Sequence, residues 1–177
     1  MRALTTVRRP GDTVPCSTFS RSTSGLRVAD VDRAMAELGP ALGVTWARVQ
    51  YSDNRTVWTP ERGLEQVELT FVYSCEGPQH VELLQGGSVW DAGDAPGLHH
   101  LGVWSDDVGA DVERFLAAGW TVAAAATAPE DGFGSFAYVA PPSGLIIELV
   151  ASAAKPRFDT WFAGGSLGSD RDVTPTD

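Results

Sequence analysis

An internal repeat constrains the fold of this chain more than any other feature of its sequence. Residues 24–31 read SGLRVADV and residues 101–108 read LGVWSDDV, so a glycine, an aspartate and a valine coincide. Each copy runs into apolar residues at helical spacing and ends much later in a strand-like segment with a central glutamate, Glu82 or Glu148. One copy alone cannot bury the apolar face of its sheet, so the repeat predicts two modules side by side.

The same order of elements is predicted in both copies: one strand, one helix and about three further strands. In the first copy, Asp30 is a candidate N-cap and Gly39-Pro40 a candidate helix end. Asp53-Asn54 indicates a turn between strands at 46–50 and 56–59. The pattern favours an α+β fold of two βαβββ modules, about 21–85 and 97–152, with a shared cleft between them.

The second helix is predicted to begin after Asp106 or Asp107 and to stop at Gly119. Outside the modules, residues 1–20 lack periodicity and are predicted to be a flexible N-terminal segment. Residues 153–177 form a C-terminal extension. It is predicted to hold a short helix over Phe158–Ala163, with Phe158 and Trp161 packed on the domain, and then a frayed tail.

Composition excludes several classes of partner. The 177 residues carry a formal net charge of −10, which disfavours nucleic acid and anionic membrane surfaces. No apolar run is long enough to span a bilayer, and the basic N-terminus lacks the apolar core of a signal peptide, so a cytoplasmic protein is expected. A small-molecule ligand is the expected partner.

Three stretches carry a resemblance to a known family: HVELL at 80–84, GLHHLGVW at 97–104 and LIIELV at 145–150. In these the chain resembles the vicinal oxygen chelate superfamily, which includes glyoxalases, bleomycin-resistance proteins and dioxygenases, and within it the glyoxalase-like, methylmalonyl-CoA-epimerase-like branch. The resemblance covers roughly residues 22–152. It implies that the two βαβββ modules form an open, cleft-containing mixed β-barrel, and that a homodimer is one option for assembly.

The resemblance also implies a site for a divalent metal such as Zn, Mn, Fe, Co or Ni. Family ligands come from the first and last strand of each module, which correspond here to Thr23, Glu82, His100 and Glu148. His100, not His99, is the match because it stands two residues before Gly102. Thr23 departs from the family, whose metal-binding members commonly carry histidine there, and this weakens the implied site.

The residues themselves support a site at these positions. Glu82 and Glu148 each lie within an apolar strand, where an ionised carboxylate is costly unless it is paired or bound to metal. His100 suits a transition metal or proton transfer. The alternative to a functional site is that the two glutamates lie on a solvated face of the sheet or pair with arginines. For His100 the alternative is a core histidine that is hydrogen-bonded to the backbone.

Five further residues are candidates for substrate binding. Strand alternation places Arg27 and Trp104 at equivalent cleft-facing positions, with Thr23 on the face of Arg27 and His80 on the face of Glu82. Tyr138 and Trp104 could line an apolar cavity. Arg27 could hold a carboxylate or enolate oxygen, or could instead pair with one of the glutamates.

The sequence predicts an enzyme that transfers a proton at a carbon next to a carbonyl, of the isomerase, epimerase, cyclase or lyase type. Glu82 or Glu148 would be the base, and His100 a metal ligand or the complementary acid. The substrate would be a mostly apolar small molecule or thioester. The alternative is a metal-free small-molecule-binding protein of the antibiotic-sequestering kind.

Overall fold

The computed structural model describes residues 21–94, 96–168 and 171–173, so the predicted N-terminal segment, 1–20, lies outside the described residues. The first module comprises β1 (Arg21–Arg27), α1 (Val31–Leu42), β2 (Val49–Thr59), β3 (Gly63–Tyr73) and β4 (His80–Gly86). The second comprises β5 (Gly97–Ser105), α2 (Val108–Ala117), β6 (Thr121–Ala125), β7 (Phe136–Ala140) and β8 (Ile146–Ala151). The C-terminal extension adds α3 (Lys155–Phe162) and β9 (Arg171–Val173).

The two modules meet edge to edge in one mixed sheet. Its strand order is β3-β4-β1-β5-β8-β7-β6-β2-β9, and β3 also pairs with β2. β1 runs parallel to β4 and β5 parallel to β8, whereas the other pairs are antiparallel. β2 reaches β6 at the pair of Trp58 and Ala125, which brings the ends of the sheet together into a barrel. The predicted α+β fold of paired βαβββ modules is confirmed.

Both helices begin at the aspartate that the repeat brings into register. Asp30 Oδ1 accepts the backbone N–H of Arg33, and Asp107 Oδ1 that of Ala110, each at 2.9 Å. The prediction that Gly39-Pro40 ends the first helix is wrong, because α1 continues to Leu42. Proline removes one N–H donor without preventing a further turn, and the helix ends at Gly43 with φ of 68°.

The predicted turn at Asp53-Asn54 is also wrong. β2 runs without interruption through these residues, and the register against β3 shifts between Ser52 and Arg55. The two residues therefore form a bulge in a long strand, an alternative that short polar residues also favour. The strand predicted over 46–50 begins only at Val49 in the structure, and Trp46 forms an isolated bridge with Ser74.

The core has two outer layers and one inner layer. α1 and α2 each cover the outer face of their own module, through Val31 and Val112 among others. Inside the barrel an aromatic cluster surrounds Tyr73 and Tyr138, and Trp161 of α3 packs into it with no exposed surface. The C-terminal helix therefore closes one side of the barrel interior.

The segment predicted as a frayed tail contains a short strand. β9 pairs with β2 along Val49–Tyr51, and Leu167 before it is buried in the inner cluster. Within the described ranges, no helix is both long and apolar enough to cross a membrane.

Candidate functional site

Two equivalent β-bulges shape the centre of the barrel, where β1 and β5 pair. One extra residue is inserted at Ser22 in β1 and one at His99 in β5, each directly before the repeat-equivalent pair Thr23 and His100. A bulge turns two successive side chains toward one side of a strand. All four of these side chains are accordingly buried. Strand alternation alone does not reveal the bulge that buries His99 beside His100.

The two repeated glycines make room for the residues opposite them. A Cβ atom on Gly25 would lie 2.1 Å from Cε1 of His100, and one on Gly102 would lie 2.2 Å from Oγ1 of Thr23. No side chain fits at such distances. Each module therefore supplies a glycine that clears space for the polar side chain of the other.

Glu82, His100 and Glu148 converge on one buried point. Glu82 lies beside Gly25 in the register of β4 with β1, and Glu148 lies beside Gly102 in the register of β8 with β5. The Oε2 atom of each glutamate is 3.1 Å from Nε2 of His100. The imidazole is fully buried, and the two carboxylate side chains are 6% and 9% exposed. The fold therefore brings together three of the four residues that correspond to family ligand positions.

The two carboxylates stabilise a positive charge at the centre of this cluster. Burial alone would lower the pKa of His100, but the carboxylates of Glu148 and Glu82 outweigh it and raise the pKa to about 10. Burial raises the pKa of Glu82, although His100 opposes the shift. His99 is the opposite case: burial, His100 and Arg27 lower its pKa to about 3, so it is neutral beside His100, with the two Nδ1 atoms 3.0 Å apart.

A tyrosine faces each glutamate across the sheet, and the pairing is again duplicated. Tyr73 is the cross-strand partner of Glu82, and Tyr138 that of Glu148. Burial and the two carboxylates raise the pKa of both phenols well above the usual value, so both are neutral hydrogen-bond donors. Sequence reasoning named Tyr138 but missed Tyr73.

A cavity of about 290 Å³ opens above this cluster. Its floor contains Glu82, Glu148 and the two tyrosines, and its walls are largely apolar and aromatic. Trp90, from the linker between the modules, forms part of the wall and donates its indole N–H to the hydroxyl of Tyr138 at 3.1 Å. Phe158 and Arg157 of α3 complete the wall on the other side. The linker and the extension, in which the sequence predicted no site residue, therefore both shape the cavity.

Two of the predicted substrate-binding residues lie in a neighbouring small void. Thr23 and Trp104 line a space of about 10 Å³ with Phe158, whose ring is 5.6 Å from that of Trp104 in an edge-on contact. Neither lines the main cavity. Strand alternation placed them on the inner face correctly, but α3 separates them from the cavity.

The other two lie farther from the cavity. Arg27 donates to the backbone carbonyl of Asp91 at 3.2 Å and pairs with neither glutamate among the described contacts. His80 stacks on Phe162 with 3.8 Å between ring centroids, and its Nδ1 is 2.7 Å from the carbonyl oxygen of Ser74. Both side chains therefore serve packing and backbone contacts in this structure.

Comparison with known proteins identifies the family. Residues 24–138 match the Glyoxalase/Bleomycin resistance protein/Dioxygenase superfamily. The chain belongs to this superfamily. The family predicted from the three short stretches is thereby confirmed, and the superfamily's fold is the one described above. No protein of curated function matches the sequence significantly.

Several solved structures share this fold at low sequence identity. A single-residue variant of methylmalonyl-CoA epimerase from Streptomyces coelicolor, with 2-nitronate-propionyl-CoA, has a TM-score of 0.54 at 22% identity, over 77% of this chain and 97% of that one. A methylmalonyl-CoA epimerase with methylmalonyl-CoA and NH4+ has a TM-score of 0.53 at 19% identity, over the same shares. A hypothetical protein from Bacillus halodurans C-125 has a TM-score of 0.55 at 12% identity, over 77% and 96%.

The residues present fit the divalent metal that is common in the superfamily. The ligand atoms of Glu82, His100 and Glu148 all lie within 4.8 Å of one another. In the described part of the chain, Oε2 of each glutamate and Nε2 of His100 are buried without an aligned hydrogen-bond partner. Because buried polar atoms are normally satisfied, three such atoms facing one point indicate a site for a cation. One imidazole and two carboxylates suit several divalent ions.

Proposed function

We propose that this protein is an enzyme that moves a proton at a carbon next to a carbonyl group, in a small, mostly apolar molecule. The observation that carries the proposal is that two buried carboxylates converge on one imidazole and also line the cavity. Isolated acidic groups are costly to bury, so a cluster of this kind is maintained where chemistry needs it.

Glu82 is the proposed base. Its pKa is raised, chiefly by burial, which brings a carboxylate closer to the range in which it accepts a proton from carbon effectively. Glu148, whose Oε2 contacts the same Nε2 of His100, is positioned to return the proton or to remain paired with His100. An epimerase that works with two groups needs one to remove the proton and a second to return it.

The neutral tyrosines supply the second requirement of this chemistry. Proton removal places negative charge on the carbonyl oxygen, and fixed hydrogen-bond donors in a dry site stabilise that charge. Tyr73 and Tyr138 both line the cavity and keep their protons because their pKa values are raised. A divalent metal held by Glu82, His100 and Glu148 would add Lewis-acid stabilisation of the same oxygen.

Comparison with the epimerases supports the proposal as an analogy of fold. The ligands of these epimerases, methylmalonyl-CoA and 2-nitronate-propionyl-CoA, are acyl thioesters, and the name of the enzyme denotes inversion at a carbon centre. At 19–22% identity these structures support the fold, and the reaction class is proposed here from the residues of this chain.

Hydrogen exchange tests the proposal without knowledge of the full reaction. The full-length protein is incubated in D2O with a panel of 2-oxo acids, 2-alkylmalonyl thioesters and aryl ketones, and deuterium uptake at carbon is followed by NMR. We expect catalysed exchange that falls by about 100-fold or more in Glu82→Gln, within the usual range for loss of a general base. Glu37→Gln, an exposed carboxylate on α1, is the matched control. Exchange that survives in both Glu82→Gln and Glu148→Gln would sink the proposal.

A binding protein is the second candidate, favoured by the aromatic walls of the cavity. Trp90, Phe136 and Phe158 enclose a space that would hold an apolar ligand without any reaction. The same panel separates the two candidates. Compounds that bind tightly and are recovered without isotope exchange support sequestration.

A further inference from the structure

The linker between the two modules contains a serine in a backbone conformation that serine rarely adopts. Ser88 has a φ of 57°, which lies in the left-handed region that favours glycine. Such a conformation persists only where surrounding contacts hold it, and it occurs most often at functional sites. Ser88 begins a short 3-10 helix that ends at Trp90. The contacts that hold Ser88 therefore also place Trp90, two residues later.

Two charged side chains of the β2–β3 hairpin hold Ser88. Its hydroxyl oxygen accepts from Nη2 of Arg62 and donates to Oε1 of Glu65, each at 2.5 Å. The same two atoms of Arg62 and Glu65 form an ion pair at 2.9 Å. These three residues are called the serine clamp below. Hydrogen bonds to charged groups are stronger than those between neutral groups, so the serine clamp is suited to hold a strained backbone.

A second attachment holds the other end of the same short helix. Arg27, the last residue of β1, donates from Nη1 to the backbone carbonyl of Asp91 at 3.2 Å. Within the linker, the backbone N–H groups of Trp90 and Asp91 donate to the carbonyls of Gly87 and Ser88, each at 3.2 Å. Trp90 therefore lies between one attachment to the hairpin and another to β1.

Trp90 carries this placement into the cavity. Its side chain is 2% exposed and lines the cavity, and its indole N–H donates to the hydroxyl of Tyr138 at 3.1 Å. Because the phenol oxygen accepts this bond, the phenol's own hydrogen points away from the indole. A donor whose direction is fixed in advance stabilises developing negative charge better than one that must reorient. The position of Trp90 therefore bears on how Tyr138 donates.

We propose that Ser88 is a positioning residue. Together with Arg62 and Glu65 it fixes Trp90, and through Trp90 it fixes the direction in which Tyr138 donates its hydrogen bond. The role of Tyr138 as a donor rests on the proposed function, whereas the placement of Trp90 by the serine clamp does not.

Solvent exchange of the Trp90 indole hydrogen tests this placement directly. In the full-length protein with 15N-labelled tryptophan, NMR follows the indole signals of six tryptophans, and Trp90→Phe identifies the one that belongs to Trp90. In Ser88→Ala we expect this hydrogen to exchange at least about tenfold faster, because loss of hydrogen bonds to charged groups favours local opening on that scale. Ser88→Gly adopts the same φ without strain and also lacks the hydroxyl. It should speed exchange as well, and it serves if Ser88→Ala does not fold.

Ser105→Ala is the matched control. Ser105 also donates to a carboxylate, Oδ2 of Asp111 at 2.7 Å, but it is not among the described residues that line the cavity. Its replacement should leave exchange of the Trp90 indole hydrogen unchanged. Equal acceleration in Ser105→Ala and Ser88→Ala would show a general loosening of the protein and overturn the proposal.

Deuterium exchange at carbon tests the consequence for Tyr138. The probe is propiophenone, an aryl ketone. Ser88→Ala should lower kcat by about tenfold, a part of the loss of about 100-fold or more that removal of a whole donor causes. KM should stay nearly the same, because the affected interaction is made in the transition state. In a Tyr138→Phe background the same substitution should have no effect on kcat.

Two further results would overturn the proposal. One is unchanged exchange of the Trp90 indole hydrogen in both Ser88 variants. The other is an equal loss of kcat from Ser88→Ala with and without the Tyr138 hydroxyl, which would show that Ser88 acts by another route. Absence of deuterium exchange in wild type would count against the proposed function alone, since the indole measurement needs no turnover.

Discussion

The first and second modules place the same groups at the same register, yet only the second carries an imidazole at the centre of the site. Each contributes a glycine that gives clearance, a glutamate beside it and a tyrosine across from that glutamate. At the remaining position the first module has Thr23 and the second has His100. The comparison teaches that the acidic half of the site is symmetric, whereas the ligand that decides which cation it holds comes from one module.

Making the modules alike at this position should have the largest effect. His100→Thr copies the residue of the first module into the second and leaves two buried carboxylates without their cationic partner. Removing one member of a buried ion pair typically costs about 3–5 kcal/mol, and we expect a loss of this size in the free energy of unfolding of the metal-free protein. Urea denaturation measures it. A stability within about 1 kcal/mol of wild type, the effect of an ordinary substitution, would show that the imidazole is not needed there.

The protonation of His100 predicts how the metal-free protein responds to pH. The pKa of this group is raised from 6.5 to about 10 in the folded state, so its contribution to stability is fully present below pH 6.5. That contribution is lost as pH rises from 6.5 through about 10. The raised pKa of Glu82 acts in the same direction at lower pH. The midpoint temperature of thermal unfolding should fall as pH rises across this window, and it should fall more steeply in wild type than in His100→Thr. Parallel profiles would contradict the assignment.

The reverse exchange should strengthen the site. Thr23→His places an imidazole opposite Gly102, where the missing Cβ gives the clearance that Gly25 gives to His100. We expect affinity for Zn2+ to rise by at least about tenfold, because loss of a residue that merely supports a metal ligand already changes affinity by that much. Competition with a chromophoric chelator measures it, and Thr23→Val controls for loss of the hydroxyl. Unchanged affinity in a folded variant would mean that Thr23 does not occupy the fourth ligand position.

The linker adds a smaller asymmetry between the two tyrosines. Of the two hydroxyls, only that of Tyr138 accepts a hydrogen bond from Trp90. The hydrogen of this phenol therefore points away from Trp90, and Glu148 is its neighbour on the adjacent strand. Trp90→Phe should weaken metal binding by up to about tenfold, which is the smallest effect usually seen when a residue that supports a metal ligand is replaced. In a Tyr138→Phe background the same change should have little effect. Equal losses in both backgrounds would assign Trp90 to packing alone.

Much of this site could be predicted because the repeat is visible in the amino-acid sequence itself. It marks Glu82 and Glu148 as one equivalent pair and Thr23 and His100 as the other, and the structure brings Glu82, His100 and Glu148 together. Tyr73 escaped notice because it precedes Glu82 by nine residues, whereas Tyr138 precedes Glu148 by ten. The two pairs become equivalent only once strand register is known.

The predicted site residues and the residues that line the cavity differ for a physical reason. Strand alternation assigns faces, but it does not say what fills the space in front of them. Trp104 lies behind Phe158 of α3, and the bulge at His99 breaks the alternation itself. Contacts made by segments outside the repeat therefore decided which of the inner residues reach the cavity.

Metal titration of the chelator-treated, full-length protein tests the central claim, that Glu82, His100 and Glu148 form one cation site. Calorimetry with Zn2+ and with Mn2+ should give one equivalent per chain for at least one of the ions. Affinity should fall by at least about tenfold in Glu82→Gln and in Glu148→Gln, and stay the same in Glu37→Gln. Absence of binding, or binding that both site variants retain unchanged, would contradict the account.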